Sequence, residues 1–246
     1  MLASGELDRL QQLVEEIRPE RLGVTGAGGS GLSARLASPP IAVNEFAAWG
    51  RGAGRLLRQQ GRTPTEPFLL VSLGTGTSVM LCDGATVSRV GGTALGGGTV
   101  LGLGSLLLGE GTFSRIADLA GRGDRRRVDL LVGDIYQPGE IALLGDATAS
   151  AFGKRRIREE APRAEDLAHA IMGLVGENVA LLCTALAAAQ QTRRIVFGGT
   201  TLRANAPLRD ILLATTAAFG GDPVHLEQGE FAGALGALAL ACEDTG

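Results

Sequence analysis

Two glycine-rich stretches of the sequence have the composition of phosphate-binding loops. The first, Gly74-Thr-Gly-Thr-Ser78, directly follows the apolar run at 68–73. Consecutive small residues let several backbone N–H groups point at one anion, and the hydroxyls of Thr75, Thr77 and Ser78 can add donors. An ordinary hairpin turn would need only one glycine, so this composition favours a phosphate site over a plain turn.

The second stretch is Arg89-Val-Gly-Gly-Thr-Ala-Leu-Gly-Gly-Gly-Thr99, with five glycines between positions 91 and 98. An apolar run at 100–108 follows, which predicts that the loop opens a helix. The N-terminus of a helix carries a positive dipole end and unpaired N–H groups, both suited to phosphate. Arg89, at the edge of the loop, offers a fork-shaped cation for a carboxylate or a phosphate.

Two further features are weak when taken alone. Phe197-Gly-Gly-Thr-Thr201 is a strand that runs into paired glycines, a pattern that is also common in simple packing. Glu45 follows the short apolar stretch at 41–44. A carboxylate at the end of a strand, beside phosphate loops, can accept a hydroxyl proton, although an isolated glutamate is more often a solvated loop residue.

Other catalytic and metal-binding patterns are missing from the sequence. No Walker A motif occurs, because Gly153-Lys154 lacks the upstream glycine and the following Ser or Thr. His169 and His225 form no cluster in the sequence, and the three cysteines fit no zinc or redox spacing. We therefore predict no metal site built from protein ligands.

Composition predicts a soluble cytoplasmic protein. The chain has 246 residues, 45% of them apolar, and a net charge of −3. So small a charge does not favour capture of nucleic acid, and the sequence shows neither a leader pattern nor an uninterrupted apolar span. We expect no nucleic-acid partner and no membrane partner.

Hydrophobic periodicity predicts a mixed α/β chain, with hairpin strands early and strand–helix alternation late. Helices are predicted over 6–18, 46–60, 164–189, 206–219 and 230–242. Strands are predicted over 21–25, 68–73, 79–82, 86–90, 194–197 and 223–227. The segment from 99 to 160 is predicted to be mostly helical, with an interruption at Pro138-Gly139.

A competing interpretation starts from Gly26-Ala-Gly-Gly-Ser-Gly31, which matches G-x-G-x-x-G after a strand. Glu45 lies 19 residues after Gly26, the spacing of a dinucleotide fingerprint, so an NAD-dependent oxidoreductase is an alternative. Pro39-Pro40 shortens the following helix, and this alternative leaves the two richer loops unexplained. A catalytically impaired nucleotide-binding paralogue would explain the loops equally well.

Several motifs, in the same order along the chain, resemble type II pantothenate kinases. They are Ser72-Leu-Gly-Thr-Gly-Thr-Ser-Val79, the stretch from Arg89 to Thr99, Asp129-Leu-Leu-Val-Gly-Asp-Ile-Tyr136, Ala149-Ser-Ala-Phe-Gly153 and Glu227-Gln-Gly-Glu-Phe-Ala-Gly-Ala-Leu-Gly-Ala237. The resemblance covers roughly residues 20–240, and the Arg-x-Gly-Gly-Thr-x-x-Gly-Gly-Gly-Thr pattern is its most specific part.

The resemblance implies an α/β actin-like ATPase/ribonuclease H-like fold with two lobes, a homodimer, and ATP- and Mg²⁺-dependent phosphorylation of pantothenate. Residues 1–80 would form a partial N-terminal lobe that carries the substrate-side glutamate. Residues 81–246 would form a C-terminal lobe with the phosphate loop, the dimerisation helices and the adenosine-side Gly-Gly pair.

The resemblance also implies roles for individual residues. Glu45 matches the general base that takes the proton of the pantothenate hydroxyl, and Arg89 matches an arginine at the substrate and transition-state end. The positions that would contact ATP are Thr75, Gly76, Thr77, Gly97, Gly98, Thr99, Val100, Leu101, Phe113 and Thr201.

One part of the superfamily pattern is not found. A loop of Asp-x-Gly-Gly-Thr type normally precedes the helix predicted over 6–18, and Met1 stands almost directly before that helix. About 30 to 40 residues, or two to three strands, would be missing. We expect a start codon assigned too late, an incomplete N-terminal lobe, and weak or no kinase activity for the 246 residues as written.

Overall fold

The structure is a computed structural model that describes residues 4–26, 28–137, 139–140, 145–156 and 161–243. The strands are β1 (Gly23–Val24), β2 (Ile41–Ala42), β3 (Phe68–Leu73), β4 (Thr77–Asp83), β5 (Thr86–Thr93), β6 (Leu130–Leu131), β7 (Thr148–Ser150), β8 (Arg194–Gly198) and β9 (Asp222–His225). The α-helices are α1 (Ser4–Ile17), α2 (Gly29–Ser33), α3 (Glu45–Gln59), α4 (Gly97–Leu108), α5 (Phe113–Ala120), α6 (Ala164–Ala189), α7 (Ala206–Ala218) and α8 (Ala232–Glu243).

A five-stranded mixed sheet in the order β5-β4-β3-β8-β9 organises the chain. Strands β3, β4 and β5 form an antiparallel meander, whereas β8 runs parallel to β3 and β9 runs parallel to β8. The predicted hairpin and the later strand–helix alternation are both confirmed by this order. Because β3 and β8 are parallel neighbours, the loops that follow them emerge at the same edge of the sheet.

Alternation along β3 divides the hydrophobic core between the two faces of this sheet. Leu69, Val71 and Leu73 point into a core formed with α4, α5, α6 and α7. Phe68 and Leu70 point into a second core formed with α3 and α8. Such alternation follows from the two-residue period of a strand.

Helix α6 lies at the centre of the first core. By length and composition it could cross a membrane, but 56% of its most apolar window is buried inside the protein. Ile171, Met172, Val175 and Val179 are each 0% exposed. Packing against the sheet and the neighbouring helices therefore accounts for its apolar composition.

The segment predicted to be mostly helical, 99–160, is helical only in its first part. Helix α4 begins at Gly97, three residues before the apolar run at 100–108, and α5 ends at Ala120. Beyond Ala120 the described residues form 3₁₀ turns and the short β6–β7 pair rather than α-helices. Long-range polar contacts hold the chain there, such as the hydrogen bond from Arg125 Nη2 to Glu177 Oε1 at 2.6 Å.

The N-terminal segment forms a small separate sheet. Strand β1 pairs in parallel with β2, and the intervening α2 has only five residues. Ala27, within the proposed dinucleotide loop, lies outside the described residues. The division into two lobes stays a prediction. The proposed boundary falls at Met80, which lies inside β4, and this strand pairs with β3 on one side and β5 on the other.

Candidate functional site

The turn between β3 and β4 lies at the sheet edge where parallel strands end. The pairing of Leu73 with Thr77 closes the hairpin and leaves residues 74–76 as the turn. The pairing of Ser72 with Gly198 brings the paired glycines after β8 beside this turn. Open α/β sheets bind ligands at the carboxyl ends of such strands.

Three loops meet at the carbonyl oxygen of Gly74. The N–H of Gly97, at the start of α4, donates a hydrogen bond to this oxygen at 2.8 Å. The hydroxyl of Thr201, after β8, donates to the same oxygen at 2.8 Å. The first two glycine-rich stretches and the Gly-Gly-Thr-Thr segment therefore form one assembled site.

Close backbone approach explains the glycines at the start of α4. A β-carbon on Gly96 would lie 2.7 Å from the Thr75 oxygen, and one on Gly97 would lie 2.6 Å from Thr201 Oγ1. One on Gly98 would lie 2.9 Å from Thr75 Cγ2. A larger residue at any of these positions would push α4 away from the turn.

The helix start is less available to a phosphate than its sequence suggests. The N–H of Gly97 is bonded to Gly74, and the N–H of Gly98 donates to the Thr75 oxygen at 2.9 Å. By contrast, Thr75 is exposed, and the N–H groups of Thr75 and Gly76 make no hydrogen bond to another described residue. These two N–H groups and the Thr75 hydroxyl are the donors of the turn that remain for an anion.

Two other threonine hydroxyls hold the second glycine loop in shape. The Thr77 hydroxyl, in a side chain that is 4% exposed, donates to the Leu95 oxygen at 2.7 Å. The Thr99 hydroxyl donates to the Ala94 oxygen and accepts from the Gly96 N–H, each at 3.2 Å. Both hydroxyls therefore have loop partners, and a nucleotide contact for either residue stays a prediction.

A β-bulge orients Arg89 toward the glycine loop. Arg89 pairs with Met80 while Gly91 pairs with Val79, so Val90 is the extra residue. The bulge brings Arg89 onto the same face as Gly92, and a β-carbon on Gly92 would lie 2.7 Å from Arg89 Nη2. The exposed guanidinium side chain thus lies along the glycine-rich loop at 91–99.

Glu45 is the first residue of α3, one residue earlier than predicted for this helix. Asn44 caps the helix, because its side-chain oxygen accepts from the N–H groups of Phe46 at 3.0 Å and Ala47 at 3.1 Å. The Glu45 side chain is exposed. A carboxylate in the first turn of a helix is stabilised by the helix dipole.

Helix α3 crosses the face of the sheet that carries Arg89. Its later residues Gly54 and Arg58 line one groove together with Asp83 and Ala85, at the β4–β5 turn. Gly50 lies against Val87 of β5, whereas Gln60, at the other end of α3, donates to the His225 oxygen of β9 at 3.2 Å. Helix α3 therefore crosses the sheet from β5 to β9, and Glu45, at its start, lies on the β5 side.

Three further proposed nucleotide contacts lie on helices, beyond the glycine-rich stretch itself. Val100 is 0% exposed in the core, so only its backbone could reach a ligand. Leu101 is 37% exposed on α4. Phe113 is the first residue of α5 and packs, partly buried, against the core that contains α6. The structure does not bring the Phe113 side chain into the contacts around Gly74.

An open groove of about 400 Å³ lies beside Gly199. It is formed by the residues after β8 and β9, namely Gly199, Leu202–Ala206, Arg209 and His225–Glu230. Burial, and then the positive charge of Arg209, lower the pKa of His225 from its usual value. His225 is therefore mainly neutral at pH 7.

Asn205 was not predicted from the sequence; it is 1% exposed and lies behind Thr201. Its side chain accepts the N–H of Leu208 at the start of α7 and donates to the Thr201 oxygen at 3.2 Å. The Asn-Ala-Pro pattern at 205–207 was the available signal, because asparagine before a proline-containing first turn is typical of a helix N-cap.

Among the described residues, no group of three or more His, Cys, Asp and Glu side chains is arranged to hold a metal ion. Mg²⁺ in phosphoryl-transfer sites is usually held by one or two carboxylates, substrate phosphates and water. The absence of a ready-made carboxylate cluster among the described residues is compatible with an ion that arrives with the nucleotide.

Comparison with known sequences gives consistent matches. A family model described as Fumble matches residues 45–240. The type II pantothenate kinases of Staphylococcus aureus strains USA300 and NCTC 8325 / PS 47 are each 34% identical over 236 residues. Those alignments cover 95% of this chain and 88% of each relative.

Solved structures show the same fold at low identity. The activator of 2-hydroxyisocaproyl-CoA dehydratase from Clostridium difficile, with bound ADPNP, has a TM-score of 0.61 and 15% identity over 98% of this chain and 82% of its own. A ROK family glucokinase from Streptomyces griseus, in complex with glucose and AMPPNP, has a TM-score of 0.56 and 13% identity over 98% and 88%. The predicted actin-like ATPase and sugar kinase fold is thereby confirmed.

Proposed function

Since the chain belongs to the Fumble family of type II pantothenate kinases, we propose that it transfers the γ-phosphate of ATP to the primary hydroxyl of pantothenate. The product is 4'-phosphopantothenate, and the reaction is the first step of coenzyme A biosynthesis. The observation that carries the proposal is the meeting of three loops at the Gly74 oxygen, through Gly97 and Thr201.

The proposed chemistry divides between the sheet edge and the start of α3. Phosphoryl transfer depends on positioning and charge stabilisation more than on covalent catalysis. The N–H groups of Thr75 and Gly76 and the Thr75 hydroxyl bind phosphate oxygens of ATP. Arg89 offsets negative charge that develops on the transferred group. Glu45 accepts the proton of the attacking hydroxyl.

Two features of the site support binding of the whole nucleotide. The groove beside Gly199 adjoins the phosphate turn, and its volume of about 400 Å³ is in the range of small-molecule sites. We propose that it holds the adenosine part of ATP. Mg²⁺ would enter with the phosphates and reduce their charge.

The dinucleotide alternative receives no support from the described residues. A fingerprint loop needs a substantial helix after it, and α2 spans only five residues. The alternative of a catalytically impaired paralogue differs from the kinase only in turnover. The assay for turnover therefore separates the two.

We propose that the protein is a homodimer and that α4 contributes to the interface. Residues Gly97–Leu108 include no charged side chain, and helices that are apolar on all sides are normally buried. Val100 and Gly104 are buried within the chain, whereas Leu106, on the opposite side of α4, is 81% exposed. A second copy offers an equally uncharged surface. The cytoplasmic location stays a prediction.

The decisive experiment is an assay of the purified chain with [γ-³²P]ATP, Mg²⁺ and pantothenate. We expect weak labelling of 4'-phosphopantothenate, as the sequence predicts for the 246 residues as written, and no product without Mg²⁺. Nucleotide binding is measured in parallel from the thermal shift with ATP and with NAD. ATP binding without turnover would favour the impaired paralogue, and stabilisation by NAD but not by ATP would favour the oxidoreductase.

A further inference from the structure

Thr201 contacts the phosphate turn from inside the protein. Its side chain is only 4% exposed, and its hydroxyl donates to the oxygen of Gly74, a residue 127 positions earlier in the chain. The Thr201 side chain therefore points into the protein and not into the groove beside Gly199. The hydroxyl of Thr201 is already used in a contact between loops.

The backbone of Thr201 is held from behind by α7. Asn205 Nδ2 donates to the Thr201 oxygen at 3.2 Å, and Asn205 Oδ1 accepts the N–H of Leu208 at 3.3 Å. Asn205 also lies 3.6 Å from the sulfur of Met172 in the core helix α6. Thr201 is therefore anchored to the rigid part of the domain.

Because a peptide group is planar, the hydrogen bond from Thr201 to the Gly74 oxygen also sets the orientation of the phosphate turn. The Gly74 carbonyl and the Thr75 N–H belong to one planar trans peptide group, so fixing the oxygen also fixes the direction of the N–H. In the same way, the bond from the Gly98 N–H to the Thr75 oxygen fixes the N–H of Gly76. The directions of the Thr75 and Gly76 N–H groups are thus set by hydrogen bonds to the carbonyl oxygens of the same peptide groups, those of Gly74 and Thr75.

Glycine at position 74 makes such control necessary. Glycine adopts many backbone conformations, so the peptide group that follows it can rotate unless its oxygen is held. Two donors hold it, the N–H of Gly97 and the hydroxyl of Thr201, each at 2.8 Å. Thr201 is the only one of the two that belongs to the loop beside the nucleotide groove.

We propose that Thr201 is a positioning residue, which couples the groove beside Gly199 to the phosphate turn by fixing the Gly74–Thr75 peptide group. Its effect is exerted on the phosphates of a nucleotide and not on the nucleoside. This inference rests on the proposed function in one respect, the assignment of the turn to phosphate.

The test compares Thr201→Val with Thr201→Ser, because valine keeps the shape of the side chain and serine keeps its hydroxyl. Binding of ADP and of adenosine is measured by calorimetry. We expect Thr201→Val to weaken ADP binding about five- to tenfold, the effect of one hydrogen bond, and to leave adenosine binding unchanged. Thr201→Ser should bind both ligands as the parent does. Equal weakening for both ligands, no weakening by valine, or equal loss in serine and valine would each overturn the proposal.

A second measurement needs no ligand. Hydrogen exchange of the Gly97 and Gly98 amides reports whether α4 stays bonded to the turn in the free protein. We expect faster exchange in Thr201→Val than in Thr201→Ser, and unchanged exchange would overturn the coupling even if the kinase activity is established. Faster exchange in a protein whose parent binds no ADP would uphold the coupling and refute the proposed function.

Discussion

Gly50 of α3 lies against Val87 of β5 so closely that a β-carbon on residue 50 would be 2.3 Å from Val87 Cγ2. This contact fixes how α3 lies on the sheet. At the other end of the helix, Gln60 Nε2 donates to the His225 oxygen of β9 at 3.2 Å. Helix α3 therefore crosses the sheet from β5 to β9, so Glu45, before Gly50, lies on the side of the sheet formed by β5, the strand that carries Arg89.

If Glu45 is the general base, Glu45→Gln should lower kcat by about 10²- to 10⁴-fold relative to the parent chain. The affinity for ATP should stay the same, because the phosphate turn is unaffected and Asn44 still caps α3. Steady-state kinetics and calorimetry with ATP measure the two quantities. Glu66→Gln, which changes another exposed glutamate, is the matched control. Undiminished turnover in Glu45→Gln would remove Glu45 from the mechanism.

Arg89 should affect the transition state more than it affects ATP binding. We expect Arg89→Ala to lower kcat by about 10²- to 10³-fold, the range seen when one charge-stabilising donor is removed, with little change in KM for ATP. Arg62→Ala, which removes an exposed arginine after α3, should keep full activity. A large rise in KM with unchanged kcat would instead assign Arg89 to ground-state binding.

The proposed dimer interface is tested at Leu106. A buried charge disrupts an apolar interface, so Leu106→Glu should shift the protein from dimer to monomer in sedimentation velocity. Its fold should remain, because Leu106 is 81% exposed within one chain. Leu238→Glu, on α8 at the other face of the sheet, is 49% exposed and serves as the control. A monomeric parent, or a Leu106→Glu protein that is still dimeric, would contradict the proposal.

Local sequence signals were sufficient where a segment has a strong period and clear ends. Helix α6 spans residues 164–189 and β3 spans 68–73, as predicted, because both are long apolar runs bounded by polar or turn residues. The same signals failed after residue 120. There the chain is held by contacts such as that of Arg125 with Glu177, 52 residues away, which no local pattern reveals.

The candidate site was predictable in composition but not in hydrogen bonding. Clusters of glycine correctly located the loops, since only glycine permits the close approach of Gly97 to Thr201. Which N–H groups remain for a ligand depends on how the loops pack against one another. The hydrogen bond from the Gly97 N–H to the Gly74 oxygen, across 23 residues, uses one donor that the sequence predicted for a phosphate.

Arg125 and Arg126 are neighbours that should differ in their effect on stability. Arg125 Nη2 lies 2.6 Å from Glu177 Oε1, and Arg125 also faces Asp129, with all three side chains at most 16% exposed. Arg125→Met would leave two buried carboxylates unpaired, and we expect a loss of about 3–5 kcal/mol in the free energy of unfolding. Arg126→Met breaks a solvent-exposed pair with Asp124 and should change the free energy of unfolding far less than Arg125→Met does. Urea denaturation measures both, and equal losses would contradict the expectation.

Asp129 should make a pH-dependent contribution to stability that is opposite in sign to that of a typical paired carboxylate. Burial raises its pKa above the usual value, and the nearby carboxylate of Glu177 adds to the rise, while the Phe152 N–H and Arg125 act against it. Between the unfolded and the raised folded pKa, the folded protein therefore binds more protons than the unfolded chain. The stability that this group contributes is full below the unfolded pKa and is lost as pH rises through the folded pKa.

Asp129→Asn removes this titration and isolates its contribution. The free energy of unfolding of the parent minus that of Asp129→Asn should fall as the pH is raised from about 4, the unfolded pKa of an aspartate. It should become constant above the folded pKa. Urea denaturation at a series of pH values gives the difference directly. Asp124→Asn supplies the opposite case, because the Arg126 hydrogen bond lowers the pKa of Asp124 and its contribution should be lost as the pH falls. A difference that rises with pH for Asp129 would show that its ion pair with Arg125 outweighs its burial.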